Sequence, residues 1–204
     1  MNTDKTLMQL VSYPRTGSHW TRMILEEYLG KYCLPTSFYG CNEHWGFHLH
    51  DRVVGAGDEG ITSGFEKVIY LYRNPVDVVY SLLMYEGWGF ERRKEIVEEY
   101  KTHLQRWTVD NSDIESIIYI KYEDIKTTPI LSFKKIIKFL GEEFDEERLT
   151  KIYNKSTMKN LAKSIADKNV IHKNHFVGTY DAERELFKNK FGNEIMKEFK
   201  TLWL

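Results

Sequence analysis

The chain has 204 residues, of which 42% are hydrophobic, 14% aromatic and 29% charged. That balance predicts a single folded domain, residues 1–204, with a sizeable core, and it excludes a disordered or low-complexity chain. Twenty-nine basic residues against thirty acidic ones leave a formal charge of -1, so bulk charge points to neither nucleic acid nor a membrane surface, and any anion site must be assembled locally.

The opening MNTDKTLMQLV lacks an apolar run long enough for a secretion signal, and no later run approaches the ~20 residues of a membrane span. A cytoplasmic protein is the expectation. Cys33 and Cys41 fit no zinc spacing and read as two reduced thiols. In chain order, TLMQLVSY (6–13) reads as a buried strand. TRMILEEYLGKY (21–32) reads as a helix with Met23, Ile24 and Tyr28 on one face. HWGFHLHDRV (44–53) holds a short strand, followed by a glycine-rich loop. KVIYLY (67–72) is a clear strand, and NPVDVVYSLLMYEG (74–87) a helix with Asn74 as cap and Pro75 at its first position.

KEIVEEYKTHLQRW (94–107) is an amphipathic helix and SIIYIKY (116–122) another buried strand. TPILSFKKIIKFLG (128–141) is a helix with Pro129 near its start and Gly141 just past its end. The remainder reads as helices with loops. Apolar strands alternating with helices predict a three-layer α/β domain, helices covering both faces of a central parallel sheet. Ligands in such sheets bind beyond the carboxyl ends of the strands, so the residues that follow each strand carry the functional question.

After the first strand come Arg15, Thr16, Gly17, Ser18, His19 and Trp20. A glycine-relaxed turn, a helix start, two hydroxyls and a guanidinium can together cradle an anion. After the VIYLY strand comes Arg73, suited to bidentate contact with a phosphate, with Ser81 two helical turns along on the same side. RTGSHW lacks the G-x-x-x-x-G-K-[ST] spacing of a nucleotide triphosphatase, and no magnesium carboxylate is evident; a P-loop kinase is therefore the lesser alternative.

YPRTGSHW, VIYLYRNPVDVVYS and IIYIKYEDIKTTPILSFKKIIKFLG, in that order, resemble the PAPS-dependent sulfotransferase family, which has a P-loop-like fold. Its members move a sulfuryl group from 3'-phosphoadenosine-5'-phosphosulfate (PAPS) to an acceptor, usually a hydroxyl, and release 3',5'-ADP (PAP). The resemblance implies that Arg15, Thr16, Gly17, Ser18 and His19 surround the 5'-phosphosulfate, with Trp20 near the adenine. It implies that Arg73 and Ser81 bind the 3'-phosphate, that Tyr122 of KYEDI contacts adenine, and that Ser156 of NKSTMKNL reaches the adenine amino group. Arg15 stands where the family normally has lysine. An arginine keeps its charge and grips two oxygens, but it does not give up a proton to a leaving phosphate. The family's C-terminal 3'-phosphate loop is recognisable only in pieces of HKNHFVGTY. Either Lys173, Asn174, His175 and Phe176 match its end, or His172 and Lys173 match its basic pair and Gly178 its later glycine. The second alignment is preferred because DAERELFKNKFG then falls where the closing helix begins.

The family's general base is a histidine ending the strand between the two phosphate loops. The resemblance assigns that role to His50, followed by Asp51, with His48 two residues earlier where a helper lysine often stands. His44, His48, His50 and Asp51 also invite a zinc reading, but no supporting ligand is evident elsewhere, and no metal is expected. The implied partners are PAPS and a hydroxyl-bearing small molecule or carbohydrate, without nucleic acid or membrane. A catalytically silent PAP- or PAPS-binding protein is the other alternative, given Arg15 and the fragmentary C-terminal loop. The aromatic stretches CLPTSFYGCNEHWGF and YEGWGFERR either flank an acceptor pocket or pack the core.

Overall fold

A computed structural model describes residues 8–34, 44–50, 67–109, 116–156 and 181–202; for residues 34, 44–50 and 181 it gives the backbone alone. The strands are β1 (Met8–Ser12), β2 (Tyr32–Leu34), β3 (His44–His50), β4 (Lys67–Tyr72) and β5 (Ser116–Lys121). The helices are α1 (Ser18–Leu29), α2 (Pro75–Glu86), α3 (Arg93–Thr108), α4 (Tyr122–Thr127), α5 (Pro129–Phe139), α6 (Glu146–Lys155) and α7 (Asp181–Glu198), with a 3-10 turn at Phe90–Arg92.

The five strands form one sheet in the order β2-β3-β1-β4-β5, and every pairing is parallel. From the central β1 the chain passes to β2 at one edge, and later to β4 and β5 on the other side. β1 is therefore the switch point, beyond whose carboxyl end such folds open a crevice. The register brings three strand ends level there: Ser12 of β1 pairs with His50 of β3 and with Leu71 of β4.

The pleat sends alternate residues of β1 and β4 into two cores. Val11, Val68, Tyr70 and Tyr72 pack with α2, α3 and α7; Leu10, Ile69 and Leu71 pack with α1, α5 and α6. This is the expected helix-covered sheet. Two expectations need correction. The helix read over 21–32 begins at Ser18 and stops at Leu29, because Gly30 takes a left-handed φ of 67° and donates its N–H to the Glu26 carbonyl. Tyr32 then starts an edge strand. The strand read as buried over 116–122 is mostly half-buried, since β5 closes the sheet with a neighbour on one side only among the described residues.

Edge strand β2 is pinned to α1 through two buried side chains. Arg22 donates to the Cys33 carbonyl at 2.8 Å, and the Glu26 carboxylate accepts the Cys33 N–H at 3.3 Å. Cys33 is a free, buried thiol whose pKa burial pushes up to about 12, so it stays a thiol at neutral pH. Cys41 lies outside the described residues. On the opposite layer, Arg184 of α7 grips Asp77 in the first turn of α2 at 2.7 Å, fastening the C-terminal helix to the element that follows β4.

Burial raises the hydroxyl pKa of Tyr70, Tyr72, Tyr100, Tyr122 and Tyr153 above its ordinary value. The folded state thus holds these phenols protonated, and their contribution to stability is complete below the unfolded pKa of about 10 and lost as pH climbs through the folded values. A urea midpoint that is level near pH 9 and falls steeply above about pH 10 is expected, with tyrosinate absorbance rising together with unfolding. Phenolate absorbance rising fully while the fold persists would contradict this.

Candidate anion and nucleotide site

β1 ends at Ser12, and the chain turns through Tyr13 and Pro14 into a loop with two left-handed residues. Gly17 has φ 96°, an ordinary conformation for glycine, and Arg15 has φ 69°. A left-handed non-glycine residue costs about 1–2 kcal/mol, and such outliers gather where a site fixes the backbone. Gly17 precedes α1 and offers no side-chain cap, and the positive end of that helix faces the loop. A methyl group on Gly17 would overlap the ring of Tyr122. Thr16 is fully buried and its hydroxyl donates to the Tyr13 carbonyl at 2.7 Å, which ties the turn internally. Ser18 is buried at the start of α1 and His19 is exposed beside it.

β4 delivers Arg73 to the same crevice. Asn74 caps α2 through its side chain, accepting from the Val76 N–H, with Pro75 at the first turn as expected. The Arg73 guanidinium donates to the Arg15 carbonyl at 3.0 Å and lies 4.7 Å over the Tyr122 ring. Its Nε is buried with no partner. Arg15 Nε donates to Ser81 Oγ at 3.1 Å, and its guanidinium stands 4.7 Å over the Tyr85 ring. Burial, and then the like charge of Arg73, lower the Arg15 pKa. Among the described residues neither arginine forms an ion pair. Two half-buried guanidiniums held side by side are preorganised for an anion, whose arrival relieves their repulsion.

Beside this pair lies an aromatic wall. Trp20 stands edge-on to Tyr122, centroids 6.1 Å apart, and 5.6 Å from Tyr153. Its indole N–H donates to the carbonyl of Ser156 at 2.6 Å, and Ser156 is 3% exposed at the end of α6. Residues drawn from 136 positions apart in the sequence thereby meet at one place.

The structure therefore gathers Arg15, Gly17, Trp20, Arg73, Ser81, Tyr122 and Ser156 into one continuous arrangement. His48 and His50 lie on β3, His50 level with Ser12 and His48 with Leu10; His44 begins that strand, at its far end. His172, Lys173 and both alignments of the C-terminal loop lie outside the described residues, as does Asp51. Glu123 and Tyr100 are residues that sequence reasoning passed over, and Tyr85 was read only as part of the aromatic stretch YEGWGFERR. Tyr85 sits four positions after Ser81, a spacing that puts both on one helical face and could have revealed it. Glu123 accepts the Asn74 N–H at 3.0 Å. The second aromatic stretch packs the core in part: Phe90 lies 5.2 Å from Phe187 of α7, and Arg92 covers Trp88 at 4.1 Å.

A parallel sheet whose switch point holds paired cations, a glycine-relaxed loop and an aromatic wall defines an α/β protein with a candidate anion crevice at the carboxyl ends of its strands. A family model, the sulfotransferase domain, matches residues 47–202, well over half of the chain. The chain belongs to the sulfotransferase family, as the three sequence stretches implied. It is 25% identical over 198 residues to cytosolic sulfotransferase 13 of Arabidopsis thaliana, a match covering 76% of this chain and 61% of the relative. It is 28% identical over 113 residues to bovine sulfotransferase 1A1, covering 48% and 38%. These matches thus span less than two thirds of the relatives' own length. The fold is that of mouse sulfotransferase SULT7A1 complexed with PAP, at TM-score 0.67 and 20% identity, over 96% of this chain and 84% of that one. Retinol dehydratase in complex with androsterone and inactive cofactor PAP shares it too, at TM-score 0.61 and 14% identity, over 98% and 82%. Among the described residues no helix is long and apolar enough to cross a membrane.

Proposed function

We propose that this chain transfers a sulfuryl group from PAPS to a hydroxyl of a small-molecule or carbohydrate acceptor, without a covalent enzyme intermediate or a required metal. The observation that carries the reading is the Arg15–Arg73 pair at the level ends of β1 and β4, with Arg73 Nε buried and unpartnered. A donor bearing phosphates at both its 5' and 3' positions fits two such cations, whereas ATP carries no 3'-phosphate. Arg73 and Ser81 take the 3'-phosphate. Arg15, Thr16, Gly17, Ser18 and His19, with the N–H groups of the loop and of α1, take the 5'-phosphosulfate. Trp20, Tyr122 and Ser156 border the adenine, and His172 and Lys173 complete the 3'-phosphate pocket. The donor supplies the electrophilic sulfur and a phosphate leaving group. His50, with His48 assisting, accepts the proton of the acceptor hydroxyl as its oxygen bonds to sulfur and the sulfur–oxygen bond to the phosphate breaks. Arg15 holds the negative charge that builds on the departing phosphate.

A thermal-shift comparison tests the donor: 3',5'-ADP stabilises the protein and ATP with magnesium does so weakly. Preference for ATP overturns the reading. Incubation with PAPS and a metabolite extract, followed by mass spectrometry, then yields sulfated products. Strong 3',5'-ADP binding with no transfer to any acceptor assigns the chain as a nucleotide-binding protein without turnover. His50→Ala lowers kcat by a factor on the order of 100 or more and leaves 3',5'-ADP affinity unchanged; equal turnover in the variant removes His50 from the chemistry.

The arginine in place of the family's lysine has a separate expected result. Arg15 is fixed by Ser81 and Tyr85 in a geometry that grips oxygens and keeps every proton. Arg15→Lys keeps 3',5'-ADP affinity within about threefold and raises kcat by roughly tenfold, since an ammonium can protonate the leaving oxygen. A fall in kcat would show instead that the guanidinium's bidentate grip matters more to turnover.

A further inference from the structure

We infer that Tyr100, on α3 and outside every donor-binding stretch, is a positioning residue that fixes Arg73 for recognition of the 3'-phosphate. The inference rests on the proposed role of Arg73. The β4–β5 ladder ends at the Tyr72–Lys121 pair, so Arg73 is the first residue whose main chain the sheet no longer holds. Tyr100 replaces the ladder with one atom. Its hydroxyl accepts the Arg73 N–H at 3.1 Å and donates to the Arg73 carbonyl at 2.9 Å. Holding both main-chain groups leaves Arg73 little freedom to rotate about its backbone, and the direction of its guanidinium is set accordingly.

The ring of Tyr100 is fully buried and lies 4.8 Å from that of Tyr13 and 5.5 Å from that of Phe199. Tyr13 launches the first anion loop, and its carbonyl accepts the Thr16 hydroxyl. Tyr13 is itself tied to α3 by donating to the Glu99 carboxylate at 2.8 Å. One side chain thus braces the second loop through its hydroxyl and the first through its ring face. Burial raises the Tyr100 pKa, so the hydroxyl remains a donor across the working pH range.

Calorimetric titration of 3',5'-ADP and of 5'-AMP, which lacks the 3'-phosphate, separates this role from a merely structural one. Tyr100→Phe should weaken 3',5'-ADP binding by roughly tenfold and 5'-AMP binding by less than about twofold, because Arg73 loses its aim while the 5' loop is kept. Tyr70→Phe is the matched control: it deletes an equally buried hydroxyl, bonded to His103 at 2.9 Å, that touches neither loop. It should lower Tm comparably and leave the preference for 3',5'-ADP intact. In an Arg73→Ala background, Tyr100→Phe should change 3',5'-ADP affinity by less than about twofold. An unchanged preference in Tyr100→Phe, an equal loss in Tyr70→Phe, or a full additive loss in the Arg73→Ala background overturns the inference. A wild-type protein with no preference for 3',5'-ADP over 5'-AMP overturns the donor reading first, and this inference with it.

Discussion

Arg73→Ala is expected to weaken 3',5'-ADP binding roughly 100-fold, or about 2.8 kcal/mol, the range seen when one partner of a buried charged contact is truncated. Three observations set that size. The guanidinium is the cation that β4 brings to the crevice, its Nε is buried without a partner, and it stacks over Tyr122 while holding the Arg15 carbonyl. Its removal therefore takes away a charge, a floor contact and a link between two loops at once. Arg73→Lys keeps the charge but loses the planar fork, and an intermediate loss of about tenfold is expected. Titration of both variants with 3',5'-ADP and 5'-AMP checks the assignment. A loss that is equal for the two ligands would move Arg73 away from the 3'-phosphate.

Gly17→Ala is expected to damage both fold and site. A side chain at φ 96° is strained, and the added methyl meets the Tyr122 ring. Left-handed strain of about 1–2 kcal/mol and the overpacking of a fixed aromatic, about 1–3 kcal/mol, combine to roughly 3 kcal/mol and a Tm fall of about 10 °C. The ring that must move is the one beneath Arg73 and edge-on to Trp20, so donor affinity should fall by more than about tenfold. Melting and titration of the same sample provide the check. Wild-type stability in Gly17→Ala would show that the loop has room that the close Tyr122 contact denies.

Much of this architecture was legible in the residues. Asn74 and Pro75 announced the start of α2, Gly141 marked the region where α5 stops, and continuous apolar runs such as KVIYLY announced strands covered on both faces. The placing of Ser81 on the Arg73 side of the crevice followed from a strand end and a helical repeat; its bond to Arg15 did not. What escaped is of two kinds. β2 is three residues long, too short for a period of two to register, and it exists because Gly30 ends α1 early. Tyr100 escaped for a different reason. An aromatic on an amphipathic helix reads as core, and Tyr100 is core; only its hydroxyl belongs to the site, and no spacing rule reports where one hydroxyl lands. His50 was legible as the last residue of its strand, and its level with Ser12 became visible only once β3 was seen to lie against β1.

The contact between the Arg73 guanidinium and the Arg15 carbonyl has a consequence for how the ligand is measured. The cation of one loop is anchored on the main chain of the other, so the two loops cannot drift apart independently. The crevice then behaves as a caliper. With the proposed donor, it would select a fixed separation between two anions rather than score each charge alone, and two fragments carrying one phosphate each would together bind less well than the single molecule that spans the gap.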